Sequence, residues 1–570
     1  MDTGAEIQQT DSIAAIFLER ARADFKLPAL WTRTADTPYQ SATWEQLLVE
    51  VASTADAFQK QGVTHGTRVV QLSDNRREWI TLDLALQFLG AWHVPISTHA
   101  SPTQIRQILD HCDPAMIVVE STLKDGWIAQ GVSESVATVC YDHDGKSPGL
   151  SMIQLLAECP TTAEDALADL AGRLQQINPD DVCSLVYTSG TTGTPKGVML
   201  SHRNLAFDAM AVVHAYEEKP ADKRLSFLPF SHLYARTCDV YTWIARGSQL
   251  ALAYSRETIL ADCQAFQPSL INGVPYFYQK VVEGLKAKGK LDTPGTLQKA
   301  LGGEVRMCAS GGAPLAGWVI EAFHRQGLSL LEGYGMTEAS PVISVSTEGA
   351  HRVGSVGQKL DGIEIRISDQ GELETRGPHV MKGYYQDDDA TRQVMDGDWL
   401  RTGDIGLIDE EGFVWITGRQ KEMLVLSTGR KVNPAALELA IGSDPLVAQV
   451  IVCGEGRKCL SALIVPDPDQ IRQRIKEVRL WVFSKRQALQ HPVVRGWYRD
   501  ILDCQLANRA DYEQIGPFTI LGQGFTPATG EMTAKLSLRR EAIVKNYHDT
   551  IEQMYNPPEV SRPWWRLWSS

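Results

Sequence analysis

The chain has 570 residues, 43% of them hydrophobic and 22% charged. That globular composition can bury a sizeable core and excludes a peptide-like or fully disordered protein. Lys and Arg number 55 against 69 Asp and Glu, a net charge of −14. A general nucleic-acid binder, which needs a basic footprint, is excluded, whereas an enzyme with a local basic pocket for an anionic substrate is not.

In chain order, Met1–Thr10 is acidic and polar and lacks the basic-then-apolar plan of a signal peptide. From Ile13 onward short apolar runs alternate with amphipathic stretches. Thr67–Leu72 is a predicted strand before a helix over Trp79–Phe88, and Ile105–Leu109 precedes a strand at Ala115–Val119. Val182–Tyr187 precedes a loop and a helix over Asn204–His214. The alternation predicts α/β units. Gly354–Gly418 reads instead as a β-rich region with short strands at Glu364–Ile367, Gly371–Thr375 and Phe413–Thr417. Beyond Gly418 come a strand at Met423–Leu426, a helix over Asn433–Ile441, and strands at Gln449–Cys453 and Leu460–Val465, enough for a second, α+β domain. Ile471–Arg486 is predicted as a basic amphipathic helix with Ile471, Ile475, Val478 and Val482 on one face. Such a helix suits a membrane surface, and equally packing on its own domain.

No apolar run approaches the roughly 20 residues that span a bilayer. The ten cysteines are scattered without a CxxC pair, so reduced thiols and a cytoplasmic setting are expected.

The most informative stretch is Tyr187-Thr-Ser-Gly-Thr-Thr-Gly-Thr-Pro-Lys-Gly197. Glycines permit sharp turns and close backbone approach. The hydroxyls of Thr188, Ser189, Thr191 and Thr192, the backbone at Gly190 and Gly193, and the Lys196 ammonium can all meet phosphate oxygens. The spacing is not that of a Walker A loop.

This loop resembles the phosphate loop of the adenylate-forming superfamily, the acyl-CoA synthetases, adenylation domains and luciferases. Further blocks follow in that family's order: Leu228–Arg236, Ser310–Pro314, Glu332–Glu338, Trp399–Asp404 and Thr417–Glu422. The resemblance covers nearly the whole chain. It implies a large N-terminal domain (1–418) of α/β subdomains plus a distorted β-barrel, followed by a small mobile α+β cap (419–570).

The resemblance also implies a reaction in two halves. A carboxylate attacks the α-phosphate of ATP, giving an acyl-adenylate and pyrophosphate, and a thiol then attacks the activated carbonyl. It places Thr337 on phosphate, Glu338 on Mg²⁺, Tyr334 beside Gly335 against adenine, and Gly311, Gly312 and Ala313 along the adenine pocket. Asp404 would accept the ribose hydroxyls, Arg419 would reach the ribose at the hinge, and His232 would lie beside the carboxylate substrate. Gly429, in Ser427–Pro434, would let a pantetheine arm pass.

The segment Phe525–Arg540 is similar to the end of long-chain acyl-CoA synthetases. The lysine that assists adenylation in that family would align with Ser537, and Lys535 lies two residues earlier. On a strand the two share a face, so Lys535 is expected to supply that charge.

The expected activity is that of an ATP-dependent long-chain fatty acid–CoA ligase using ATP, Mg²⁺ and CoA as co-substrate, with no nucleic-acid partner. Transfer to an acyl carrier protein, release of the adenylate, and a catalytically weakened homologue are the alternatives. The tail Arg562-Pro-Trp-Trp-Arg-Leu-Trp568 suits peripheral contact with the inner face of a membrane, and equally a packed terminus.

Overall fold

The computed structural model describes residues 11–120, 136–142, 150–159, 161–189, 195–526, 529–532 and 538–556. The chain forms two compact units. The first comprises Met1–Thr402 and Ile408–Trp415, the second Gly403–Leu407 and Ile416–Ser570.

Within the described residues the first unit contains an eight-stranded and a nine-stranded sheet. The eight-stranded sheet runs Gly383–Tyr384, Pro195–Ser201, Val182–Ser189, Trp92–Ile96, Arg68–Leu72, Met116–Val119, Ala137–Cys140 and Leu150–Ser151. From Val182–Ser189 onward its strands are parallel, whereas Pro195–Ser201 returns antiparallel. The buried runs Val-Val-Gln-Leu and Met-Ile-Val-Val are what strands covered on both faces require. Helix Arg77–Phe88 is buried from Trp79 to its end, Thr81, Asp83 and Gln87 included.

The nine-stranded sheet runs Gln358–Lys359, Val342–Val345, Ser329–Gly335, Met307–Ser310, Leu270–Gly273, Lys223–Ser226, Gln249–Leu252, Pro28–Thr32 and Gln40–Thr43. The six strands from Ser329–Gly335 to Pro28–Thr32 are parallel. Helix Trp44–Lys60 begins in a capping box of Thr43 and Gln46 and stacks Trp44 on Trp243 with centroids 4.9 Å apart.

A charged cluster is sealed inside this unit. Asp83 accepts from Arg236, from the Tyr241 hydroxyl at 2.9 Å and from His93 Nδ1 at 2.8 Å. Arg236 Nη1 also donates to Ser184 Oγ at 2.7 Å, and Asp83, His93, Ser184 and Arg236 are fully buried. The Arg236 guanidinium and His93 hold the Asp83 carboxyl far below the usual carboxylate range despite its burial.

The second unit is α+β. Val447–Cys453 pairs antiparallel with Leu460–Pro466, which pairs parallel with Ile515–Ile520. Helices Pro434–Ile441 and Pro492–Gln505 add Leu437, Ile441, Val494 and Tyr498 to its core. Arg540 grips Glu438 with both oxygens at 2.6 Å and donates to the Val452 carbonyl at 2.7 Å. The α/β class with a larger N-terminal part and a smaller α+β part is therefore what the elements form.

The single basic helix expected over Ile471–Arg486 is not formed. The helix spans Pro468–Glu477 and stops where Arg479 takes a left-handed backbone, φ 53°. A second helix, Lys485–Gln490, starts afresh from the Ser484 cap. Ile471 and Ile475 reach the core, but Val478 does not share their face and is 50% exposed.

Among the described residues no helix is long and apolar enough to cross a membrane. All ten cysteines are free.

Candidate active site

In the nine-stranded sheet the parallel strands Lys223–Ser226, Leu270–Gly273, Met307–Ser310 and Ser329–Gly335 release successive segments at their carboxyl ends: Phe227–His232, Val274, Gly311–Ala313 and Met336–Glu338. Open α/β sheets bind ligands beyond such ends. Gly311 donates to the Gly273 carbonyl at 3.4 Å, and a Cβ there would press on the Tyr234 ring at 3.2 Å. Gly335 is required outright, since a Cβ would fall 1.8 Å from the Pro341 carbonyl oxygen. That contact marks the tight antiparallel return from Tyr334 to Ser344.

The turn Thr337–Ala339 is held from several sides. Met336 N–H donates to the Pro341 carbonyl at 2.8 Å, and Ala339 N–H to Met336 at 2.9 Å. Ser340 Oγ donates to the His379 carbonyl, and Thr237 Oγ1 to the Ser340 carbonyl. Val342 N–H reaches Asp208 Oδ2 at 3.2 Å. Burial keeps the Asp208 carboxyl well above the usual carboxylate range. Glu332, partly buried, is pushed up to about 7 by burial.

The phosphate-loop lysine and the Thr337–Glu338 turn are joined through a residue that sequence reasoning missed. Tyr384 donates its hydroxyl to Glu338 Oε1 at 2.8 Å, and Lys196 Nζ lies 4.8 Å from the centre of the same ring. Tyr384 is placed by strand Gly383–Tyr384, paired with Pro195–Ser201 in the register Tyr384↔Val198, and Met381 N–H donates to the Glu338 carbonyl at 2.9 Å. Burial and the Glu338 charge raise the Tyr384 phenol above its ordinary value, so it acts as a neutral donor. Thr188 and Ser189 end the strand opposite Lys196 and Pro195. Gly190, Thr191, Thr192 and Gly193 lie outside the described residues.

His232 immediately precedes the short helix Leu233–Ala235, at its N-terminal boundary. Its loop is clamped by Asn75, another residue not anticipated. Asn75 Nδ2 donates to the Leu228 carbonyl at 2.7 Å and Oδ1 accepts from Phe230 N–H at 2.9 Å. Arg236, in the same sequence block, belongs to the sealed Asp83 cluster.

In the second unit Arg419 Nε lies 3.0 Å from Asp404 Oδ1, with Asp404 buried and Arg419 exposed. The two residues expected at the ribose are thus brought together. Gly429, at φ 77°, closes the turn between Leu424–Val425 and Lys431–Val432, with nothing near the place of a Cβ. Lys535 and Ser537 lie outside the described residues, while Met532 and Leu538 pair as an antiparallel bridge.

The AMP-binding enzyme family model matches residues 17–385. The chain belongs to the AMP-binding enzyme family. The AMP-binding enzyme C-terminal domain model matches residues 421–494. The long-chain-fatty-acid–CoA ligase FadD15 of Mycobacterium bovis is 29% identical over 96% of this chain and 98% of its own. The long-chain-fatty-acid–[acyl-carrier-protein] ligase AEE15 of Arabidopsis thaliana is 26% identical over 93% and 86%. Among solved structures, the anthranilate CoA ligase AuaEII in complex with anthranoyl-AMP superposes with a TM-score of 0.76 at 20% identity, covering 95% of this chain and 98% of that one. ATP-bound MatB from Rhodopseudomonas palustris gives 0.72 at 23% identity, covering 94% and 99%. These two likenesses bear on the fold. The resemblance to adenylate-forming enzymes read from the motifs is borne out by the family match.

Proposed function

We propose that the protein activates a long-chain fatty acid as its acyl-adenylate and passes the acyl group to the thiol of CoA. The observation that carries this is the Lys196–Tyr384–Glu338 connection, in which one tyrosine meets a cation over its ring and a carboxylate at its hydroxyl, within one unit. The chemistry brings two anions together, so charge must be neutralised in a fixed geometry.

In the first half a carboxylate oxygen of the acid attacks the α-phosphorus, the bond to the bridging oxygen breaks, and pyrophosphate leaves with its electron pair. Lys196 and the hydroxyls of Thr188, Ser189, Thr191 and Thr192 hold the β- and γ-phosphates, with the backbone of Gly190 and Gly193. Thr337 donates to the α-phosphate, and Lys535 offsets the charge that builds between acid and phosphate. Tyr334, Gly335, Gly311, Gly312 and Ala313 hold the adenine, Asp404 and Arg419 the ribose, and His232 borders the acid. In the second half the CoA thiolate attacks the carbonyl carbon and AMP departs, with Gly429 on the path of the pantetheine arm. The domains of this reading are 1–418, the AMP-binding domain, and 419–570, the α+β cap.

The donor set fits Mg²⁺. Among the described residues no group of three or more His, Cys, Asp or Glu could hold a metal, but Mg²⁺ is usually carried by one or two carboxylates together with substrate phosphates. Glu338 is such a carboxylate, with Tyr384 fixing one oxygen. When bound, the ion supplies charge neutralisation at the phosphates.

Incubation with ATP, Mg²⁺ and a panel of fatty acids, scoring pyrophosphate with and without CoA, tests the reading. Long-chain acids are expected to give pyrophosphate and an acyl-CoA. Silence with every acid would overturn it. The carrier-protein ligase of Arabidopsis among the relatives favours a second reading, in which the acceptor thiol is a carrier protein's phosphopantetheine. Transfer to that carrier with none to CoA would establish it.

A further inference from the structure

The second unit carries a segment whose side chains no core explains. Trp481 is 82% and Phe483 85% exposed, the two highest values among the exposed large hydrophobics of the described residues. Their backbone is not loose. The chain leaves helix Pro468–Glu477 through left-handed Arg479, and Leu480 N–H donates back to the Ile475 carbonyl at 3.0 Å. Leu480 packs on the core of its unit. Phe483 N–H donates to Gln487 Oε1 at 2.8 Å, and Ser484 caps the helix Lys485–Gln490. Burial therefore alternates: Leu480 and Val482 are partly covered, Trp481 and Phe483 are not.

Along the chain the two rings are flanked by the exposed cations Lys476, Arg479, Lys485 and Arg486. The other charged groups of these two helices are engaged. Arg472 faces Asp469 at 3.5 Å, Arg474 lies over the Trp497 ring at 5.0 Å, and Glu477 accepts from Gln473. The chain as a whole carries −14, so this basic patch runs against its overall charge.

We propose that residues 476–486 form a docking surface for an anionic lipid bilayer, with Trp481 and Phe483 seated at the headgroup–acyl boundary and Lys476, Arg479, Lys485 and Arg486 on the lipid phosphates. A Trp–Phe pair held outward by a rigid turn buries apolar area at an interface without ordering a flexible loop. The cations supply the sign complementarity. Charges farther off than a Debye length of about 8–10 Å are largely screened, and within the segment the four cations stand against one exposed carboxylate, Glu477. The surface is independent of the adenylation chemistry, and it would let an apolar acid be drawn from the phase in which it dissolves.

The test is co-sedimentation of the full chain with phosphatidylcholine vesicles containing or lacking phosphatidylglycerol. Wild type is expected to bind the anionic vesicles, more weakly as salt rises, and the zwitterionic ones poorly. Trp481→Ala/Phe483→Ala is expected to lose at least about tenfold in partitioning, and each of Lys476→Gln, Arg479→Gln, Lys485→Gln and Arg486→Gln about fivefold. Because these side chains are exposed, thermal melting should stay at the wild-type value. Binding by the double aromatic variant at wild-type strength overturns the proposal. So does binding that vanishes only when Ser561–Ser570 is deleted, or a wild type that ignores vesicles and self-associates through Trp481 and Phe483.

Discussion

Tyr384 and Glu338 lie 46 residues apart and share a hydrogen bond of 2.8 Å, with the phenol as donor and the carboxylate as acceptor. Tyr384→Phe removes the donor and keeps the ring under Lys196. Hydrogen bonds to charged groups contribute about 1.5–3 kcal/mol, so pyrophosphate release should fall roughly ten- to hundredfold. Glu338→Gln should fall at least as far and demand more Mg²⁺. A Tyr384→Phe enzyme with an unchanged rate would reduce Tyr384 to packing.

Lys535→Ala should lower acid-dependent pyrophosphate release by about 10²–10³-fold, the usual cost of losing one group that stabilises developing charge. Thioester formation from supplied acyl-adenylate should remain near wild type. Full pyrophosphate release by Lys535→Ala would exclude the assignment.

Asn75→Ala leaves the Leu228 carbonyl and the Phe230 N–H without their partner. The loop carrying His232 should loosen at a cost of about 1–3 kcal/mol. The Michaelis constant for the acid should rise while that for ATP holds. Equal changes in both would point to general destabilisation instead.

Arg236→Met strands the Asp83 carboxylate in a sealed interior. Losing one partner of a buried pair costs about 3–5 kcal/mol, read as a lower denaturant midpoint. Adding Asp83→Leu should restore part of it, because the two residues are coupled.

Glu332 titrates at about 7 in the folded chain, against about 4.3 in an unfolded one. The folded state therefore holds this proton more tightly. The resulting stability is fully present below the unfolded value and is lost as pH rises through about 7. Glu332→Gln should remove that loss, worth on the order of 3 kcal/mol. Parallel stability curves for the two proteins between pH 5 and 8 would contradict it.

Local signals carried much of the fold. The apolar runs at Arg68–Leu72 and Met116–Val119 and the periodic helices Arg77–Phe88 and His202–Ala215 were legible because each announces its burial within a few residues. The Ile471–Arg486 helix was misread because its period continues through Arg479, whose left-handed backbone no apolar spacing announces. Tyr384 and Asn75 escaped for another reason. Their partners lie 46, 153 and 155 residues away, and neither sits in a motif whose chemistry names it. The Asp83–Arg236 pair, 153 residues apart, was equally invisible, so Arg236 could be noticed in its block but not given its buried place.

The cysteines have a practical consequence. Eight of the ten are buried, Cys459 is partly covered and Cys504 alone is exposed. Burial pushes the thiols of Cys112, Cys263 and Cys453 up to about 12, so they form little thiolate at neutral pH. A maleimide probe added to the native protein should therefore enter chiefly at Cys504. That gives a spectroscopic handle on the smaller unit without engineering the chain.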